Sequence, residues 1–85
     1  MRRIREYDSV RIVELKTPSR DFSGSEGVAR APRVGDIATV CHEYDSADAS
    51  ARVAVEKVDS SGYTIWLADF ETDELELVLA EEERT

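Results

Sequence analysis

The fold of this chain is decided around residues 34–40, which read VGDIATV. A Gly-Asp pair leads directly into a run of β-forming side chains. Glycine adopts backbone conformations that other residues resist, and Asp is common in turns. The stretch therefore predicts a tight corner at Gly35 that begins a central strand. It also divides the chain into an opening strand with a long loop and a later series of short strands.

The length of 85 residues predicts a single domain spanning 1–85. With 41% hydrophobic and 35% charged residues, the composition is typical of a globular protein rather than a disordered one. A core of this size barely offsets the entropy of the chain, so burying one more face would stabilise it. Association with a second copy, as a homo-oligomer, is therefore one expectation.

Features that would direct the chain elsewhere are missing from the sequence, which predicts a cytoplasmic location. The single cysteine, Cys41, cannot form an internal disulfide. No apolar run approaches the roughly 18 residues of a membrane helix, so no membrane partner is expected. The arginines near the start are not followed by the apolar stretch of an export signal.

The charge is divided unevenly about the corner. Residues 1–33 carry a net charge of +3 and residues 34–85 carry −11, which gives −8 for the chain. Binding to phosphate backbones relies on Lys and Arg, so the acidic part disfavours a nucleic-acid partner. It favours a solvated surface or a basic protein partner.

Five segments have the alternation or β-forming composition of strands, namely 7–15, 36–44, 51–58, 63–68 and 75–79. Val10 and Ile12 share one face of the first strand, and Val53 and Val55 share one face of the third. In the fourth, Leu67 and Trp66 fall on opposite faces.

The connections between these segments are also predicted. Residues 45–50 are small and polar, and residues 59–62 have the composition of a hairpin turn. The acidic segment 69–74 suits one helical turn, capped by Asp69 or Thr72 with its other carboxylates in water. Residues 80–85 form a charged tail that is expected to fray.

Residues 16–34 hold prolines, glycines and serines without periodicity, and predict a long loop. Loops of this length are often functional, although a tolerated surface insertion is the favoured interpretation. The loop contains Lys16, Arg20, Arg30 and Arg33. Its one large apolar residue, Phe22, is expected to fold back and cap an open end of the core.

These elements together predict an all-β fold. Five short strands in so small a domain should curl into a partly open barrel, because closure leaves little exposed edge. A long first loop and one helical turn before the last strand are the layout of a small SH3-like barrel.

Three blocks, 7–11 (YDSVR), 35–40 (GDIATV) and 73–78 (DELELV), resemble one family. It is the small bacterial SH3-like family catalogued as domain of unknown function 4926, and the order of the blocks matches across residues 4–79. The resemblance implies a stand-alone barrel without an established activity. The chain departs from the family in carrying Ala38 where glycine is usual, so that any bulge must form without it. Its first loop also looks longer.

Side chains that could support catalysis do not form a convincing set, and the sequence predicts no enzyme and no cofactor. Cys41 and His42 are adjacent, and neighbours on a strand point to opposite faces, so they cannot form an activated pair. Cys41 is interpreted as a small buried group and His42 as a solvent-facing residue. The acidic cluster at 69–76 lacks the glycine and alternating ligands of a calcium loop, and no zinc set occurs.

Aromatic side chains offer a binding surface instead. Exposed aromatics beside a long loop can form a groove for extended peptides, although Trp66 covering one end of the core is the favoured interpretation. The candidate partner-binding residues are Arg20, Phe22, Arg30, Arg33, Tyr44, Tyr63 and Trp66.

The function expected from these observations is a non-catalytic protein-interaction module that binds a basic protein or associates with itself. One alternative is a nucleic-acid module of the KOW type that uses the basic long loop. A further alternative is an accessory subunit of an enzyme.

Overall fold

The computed structural model describes residues 4–17, 19–44 and 52–79. In chain order these contain β1 (Ser9–Ile12), β2 (Ile37–Glu43), β3 (Arg52–Val58), β4 (Thr64–Glu71), one 3-10 turn (Thr72–Glu74) and β5 (Leu75–Leu79). The predicted connection at 45–50 and the tail at 80–85 lie outside the described residues. None of the described segments is a helix long and apolar enough to cross a membrane.

The strands form one antiparallel sheet in the order β4-β3-β2-β1-β5. The first and last strands are neighbours, the sheet does not close, and the 3-10 turn immediately precedes the last strand. The predicted all-β, partly open SH3-like barrel is therefore confirmed.

The predicted corner is confirmed at Gly35, whose φ of 98° lies in the left-handed region that favours glycine. The Gly35 N–H donates to the carbonyl oxygen of Ile12 at 2.8 Å, and the Ile12 N–H donates to that of Asp36 at 2.9 Å. These two bonds dock the corner against the end of β1, from which β2 then runs back antiparallel.

The bulge of β2 does not lie at Ala38. Ala38 pairs regularly with Val10, and it is buried, where its small side chain fits the core. The register between β2 and β3 shifts instead between Val40 and His42, at Cys41. The irregularity of β2 therefore lies three residues after Ala38.

Two predicted strand ends change by three residues. The first strand ends at Ile12 rather than residue 15, because the N–H groups of Val13 and Glu14 donate to the carbonyl oxygen of Glu74 instead. The fourth strand continues through 69–71, where Asp69 pairs with Ala54. The prediction of helix at 69–71 is wrong for this reason, and only the 3-10 turn after them is helical.

The core is built from side chains of all five strands. Trp66 and Phe70 are its largest fully buried apolar side chains, with ring centroids 5.4 Å apart. Around them pack alternating residues of the other strands, namely Val10, Ile12, Val40, Val53, Val55 and Leu75. Trp66 is 0% exposed, so the interpretation of Trp66 as a core residue is the correct one.

The long loop lies along the outer edge of β4. Ser23 and Leu67 exchange backbone hydrogen bonds of 3.0 and 2.8 Å, and the N–H of Ser25 donates to the Thr64 oxygen at 2.8 Å. A Cβ at Gly24 would lie 2.6 Å from that of Ala29, so only glycine allows this approach. The loop thereby covers an edge that would otherwise expose unpaired backbone groups.

Candidate functional site

The side chain of Asp36 connects the long loop to the barrel. Both Arg30 Nη atoms donate to its carboxylate at 2.9 Å, and the Arg33 N–H and the Trp66 Nε1–H each donate at 3.0 Å. Burial alone would raise the pKa of Asp36, but these hydrogen bonds and the Arg30 charge outweigh it and hold that pKa below its ordinary value. The Arg30 guanidinium is therefore engaged inside the molecule.

A second buried cluster, the Arg20 site, fastens the start of the loop. The Arg20 guanidinium lies 4.1 Å from the centroid of the Phe70 ring, donates to the Asp69 carbonyl oxygen at 2.5 Å and forms an ion pair with Glu74. The side chains of Arg20 and Glu74 are 9% and 2% exposed. These contacts, with a hydrogen bond from Arg20 Nε to the Thr17 carbonyl oxygen at 3.2 Å, compensate for the burial of this cation.

Glu74 receives two further hydrogen bonds, from the N–H groups of Lys16 and Glu71 at 2.8 and 2.9 Å. Burial would raise its pKa, but Arg20 and these donors together hold the pKa of Glu74 below its ordinary value. The expectation that the carboxylates near Asp69 and Thr72 all lie in water is wrong for Glu74.

The cap of the 3-10 turn differs from the prediction. Glu71 is the N-cap residue, and it forms a capping box with Glu74. Neither Asp69 nor Thr72 takes this place, because β4 continues to Glu71 and delays the start of the turn.

These pairs use most of the positive charge of the loop. Arg20 and Arg30 pair with carboxylates as described, and Lys16 pairs with Asp73. Arg33 has an exposed side chain, and its backbone N–H holds Asp36. Of the four predicted loop cations, three are neutralised within the fold.

The aromatic groove is an open cavity of about 300 Å³ between the long loop and the outer surface of β2 to β4. Its lining includes Asp21, Phe22, Ser23, Tyr44, Leu67 and Asp69. Phe22, Tyr44 and Leu67 are 40%, 39% and 37% exposed. The groove therefore combines partly exposed apolar side chains with two acidic residues in one lining.

Hydrogen bonding and ring packing hold Tyr44 at one wall of this groove. The Tyr44 hydroxyl donates to Asp69 Oδ1 at 2.8 Å, and its ring packs edge-on against that of His42, with centroids 5.0 Å apart. The bond to Asp69, followed by partial burial and the charge of Asp69, raises the pKa of Tyr44. The two contacts together fix the orientation of the Tyr44 ring.

The structure brings together only two of the predicted partner-binding residues, Phe22 and Tyr44, in one groove. Tyr63 is 59% exposed beside the β3-β4 hairpin and does not line the groove. The expectation that Phe22 caps the core is wrong. The Arg20 guanidinium packs over the core residue Phe70 instead, and Phe22 stays at the surface.

Asp21, Leu67 and Asp69 are among the groove residues that the sequence did not predict. Leu67 was recognisable in principle, since β4 alternates and a core Trp66 turns its neighbour outward. Asp69 was missed because it was assigned to the helical turn rather than to the strand.

A smaller cavity, of about 200 Å³, adjoins the Arg20 site. Its lining includes Thr17, Arg20, Arg52, Glu71 and Asp69. Asp69 thus lines both cavities, with the smaller one on the Phe70 side and the aromatic groove on the Tyr44 side.

The side chains of Cys41 and His42 contact different groups. Cys41 is half-buried, and its Sγ lies 3.8 Å from both the Thr39 carbonyl oxygen and Glu56 Oε1. Burial, followed by the charge of Glu56, raises the pKa of this thiol, which disfavours the reactive thiolate. The His42 ring is solvent-facing as predicted, with Nδ1 3.7 Å from Glu6 Oε2.

In the described part of the chain, no group of three or more His, Cys, Asp or Glu side chains is arranged to hold a metal ion. Comparison with protein-family models, curated proteins and solved structures finds no match to this chain.

Proposed function

We propose that this chain is a non-catalytic protein-interaction module that binds a basic protein partner through the aromatic groove. The observation that carries the proposal is the exposure of Phe22, Tyr44 and Leu67 in one cavity flanked by Asp21 and Asp69. Exposed apolar side chains gathered in a groove are a common mark of binding sites. The net charge of −8 makes a basic partner the complementary one.

The internal ion pairs weigh against the alternative of a nucleic-acid module. Lys16, Arg20 and Arg30 already pair with carboxylates. Releasing Arg20 or Arg30 to bind phosphates would leave the charge of Glu74 or Asp36 largely buried without its partner. We therefore expect no binding of a 20-nucleotide RNA even at low salt, where phosphate contacts are strongest. RNA binding that weakened steeply with added salt would favour the nucleic-acid function instead.

We also propose membership of the family catalogued as domain of unknown function 4926, on the three sequence blocks. They lie in β1, in the corner with β2, and in the 3-10 turn with β5, which are hydrogen-bonded neighbours in the sheet. The three blocks thus all lie in elements that build the barrel. A cytoplasmic setting is part of the same proposal and rests on the free Cys41.

The function is tested by co-purification with tagged protein from a native extract. The informative variant is Tyr44→Ser combined with Leu67→Ser, which removes two exposed groove side chains. The matched control is Tyr63→Ser, because Tyr63 is an exposed aromatic outside the groove. We expect a basic protein at near-stoichiometric amounts with the native chain and the control, and its loss with the groove variant.

Two results would overturn the proposal. One is the absence of any protein partner at near-stoichiometric amounts with the native chain. The other is equal retention of the partner by the groove variant and the Tyr63→Ser control, since the interaction would then involve another surface.

A further inference from the structure

We infer that the aromatic groove is a guanidinium site: it takes one arginine side chain from an extended segment of the partner, against Phe22 and Tyr44 and between Asp21 and Asp69. This inference rests on the proposed function and names the group that the groove recognises.

The molecule already contains a filled site of the same chemistry. At the Arg20 site a guanidinium lies over the Phe70 ring, pairs with the Glu74 carboxylate and donates to the Asp69 carbonyl oxygen. A ring face, a carboxylate and two carbonyl oxygens, those of Asp69 and Thr17, thus hold an arginine almost out of contact with water. These three kinds of contact favour a planar guanidinium over other cations.

The aromatic groove offers the same kinds of group on the other side of Asp69. Phe22 and Tyr44 line it as aromatic residues, and Asp21 and Asp69 line it as acidic residues. The hydrogen bond from Tyr44 uses Oδ1 of Asp69, and an ionised carboxylate has acceptor sites for several more donors. An arginine entering the groove would therefore find both a stacking surface and charged acceptors.

The arginines of the long loop nearest to the groove do not fill it themselves. Arg20 and Arg30 are held by Glu74 and Asp36. A second copy of the chain is disfavoured as the source of the arginine, because two molecules of charge −8 repel each other. The charge balance therefore assigns the arginine to a basic partner.

The inference is tested by NMR titration of the full-length chain with three synthetic peptides. These are acetyl-Gly-Ser-Arg-Ser-Gly-amide and the same peptide with lysine or with citrulline in place of arginine. Citrulline keeps the shape of arginine and removes its charge. We expect the arginine peptide to bind with a Kd on the order of millimolar and to shift the amide signals of Phe22, Tyr44 and Leu67.

The expected order of affinity follows from the contacts. The citrulline peptide should bind about 10-fold or more weakly than the arginine peptide, since it loses the charge-assisted bonds and the cation–π contact. The lysine peptide should be weaker by about 3-fold, because an ammonium group cannot stack or form a planar fork.

A matched pair of variants distinguishes binding in the groove from a general attraction between the acidic chain and a cationic peptide. Asp21→Asn and Glu26→Gln each remove one negative charge from an exposed position of the long loop, and only Asp21 lines the groove. Asp21→Asn should weaken binding of the arginine peptide about 3-fold to 10-fold, and Glu26→Gln by less than about 2-fold.

Equal binding of the arginine and citrulline peptides, or equal effects of the two variants, would overturn the inference. So would signal shifts that map away from the groove. If the groove variant still abolished co-purification of a basic protein, these results would refute the guanidinium site and leave the proposed function standing. The function itself would be refuted by a different result, namely that the groove variant and the Tyr63→Ser control retain the partner equally or that the native chain retains none.

Discussion

The carboxylate of Asp36 accepts a hydrogen bond from the indole Nε1–H of Trp66 at 3.0 Å. This bond joins the Gly-Asp corner to the largest side chain of the core. The same carboxylate receives the fork of Arg30 and so also holds the long loop against the barrel. One short side chain therefore connects the end of the long loop and the corner to Trp66, which lies 30 residues further along the chain.

Replacing Asp36 with Asn tests this connection. The neutral amide loses the charge that pairs with Arg30, and one half of it presents N–H groups to the donors of Trp66 and Arg33. We expect a loss of about 2–4 kcal/mol in the free energy of unfolding, measured with urea. The matched control Asp21→Asn, at an exposed position, should change it by less than about 0.5 kcal/mol. Similar values for the two variants would contradict a connecting role.

The Arg20–Glu74 pair predicts strong non-additivity. Arg20→Met leaves the Glu74 charge buried without its partner and should cost about 3–5 kcal/mol. Glu74→Gln in the same chain removes that charge, while its amide oxygen still accepts from backbone N–H groups. We expect the double variant to lose about 1–3 kcal/mol less than the sum of the two single losses.

Lys16→Met provides the control for this cycle, since the Lys16–Asp73 pair is at the surface. An exposed pair contributes no more than about 1 kcal/mol, so Lys16→Met should have a small effect. Additive losses for Arg20→Met and Glu74→Gln would show that the two side chains do not stabilise the fold together.

Acid should weaken the fold through Glu74. Its ordinary pKa is 4.5, and in the fold it is lowered, so the unfolded chain takes up this proton first as pH falls. The stabilisation is therefore fully present above about pH 4.5 and is lost as the pH falls through the lowered pKa. Glu74→Gln should be less stable at pH 7 and should lose less stability on acidification.

The measurement is urea unfolding of both proteins at several values between pH 7 and pH 3. Asp36 contributes in the same direction, since its pKa is also lowered, but it is present in both proteins and cancels in the comparison. Parallel curves of stability against pH would contradict the assigned role of Glu74.

Gly24→Ala should detach the long loop from β4. The added Cβ would lie 2.6 Å from the Ala29 Cβ and 2.7 Å from the backbone oxygen of Ile65, so the backbone itself must move. We expect a loss of about 1–3 kcal/mol. We also expect faster hydrogen exchange at the Ser25 and Leu67 amides, which bond across this contact.

Gly27→Ala is the comparison, because a Cβ there meets nothing within 4 Å and the cost comes from its φ of 89° alone. It should cost about 1 kcal/mol and leave the exchange of the Leu67 amide unchanged. Slower or unchanged exchange at Leu67 in Gly24→Ala would argue against loop attachment through this glycine.

The elements of the fold were predictable because they depend on neighbouring residues. Alternation of apolar side chains placed Val10 with Ile12 and Val53 with Val55 on the core face. Gly35 marked the corner through its backbone alone. The last strand begins where its composition predicted, at Leu75.

The groove was predictable only in part. Phe22, Tyr44, Tyr63 and Trp66 are all aromatic candidates in the sequence. Only Phe22 and Tyr44 line the groove, whereas Tyr63 lies outside it and Trp66 is buried in the core. Which aromatics share a cavity depends on where the long loop meets β4, and that contact is made by Ser23 and Leu67, far apart in the chain.

Residues 34–40, together with the alternating strands, determined by sequence alone that this chain is a small open barrel, because turn conformation and side-chain period are local properties. Only the tertiary structure decided which charged side chains pair with each other and which are buried. Arg20 and Glu74 are 54 residues apart, and Arg20 reads as an ordinary loop cation until the loop closes over Phe70. Electrostatic pairing depends on distance in space and on burial, and the folded chain determines both.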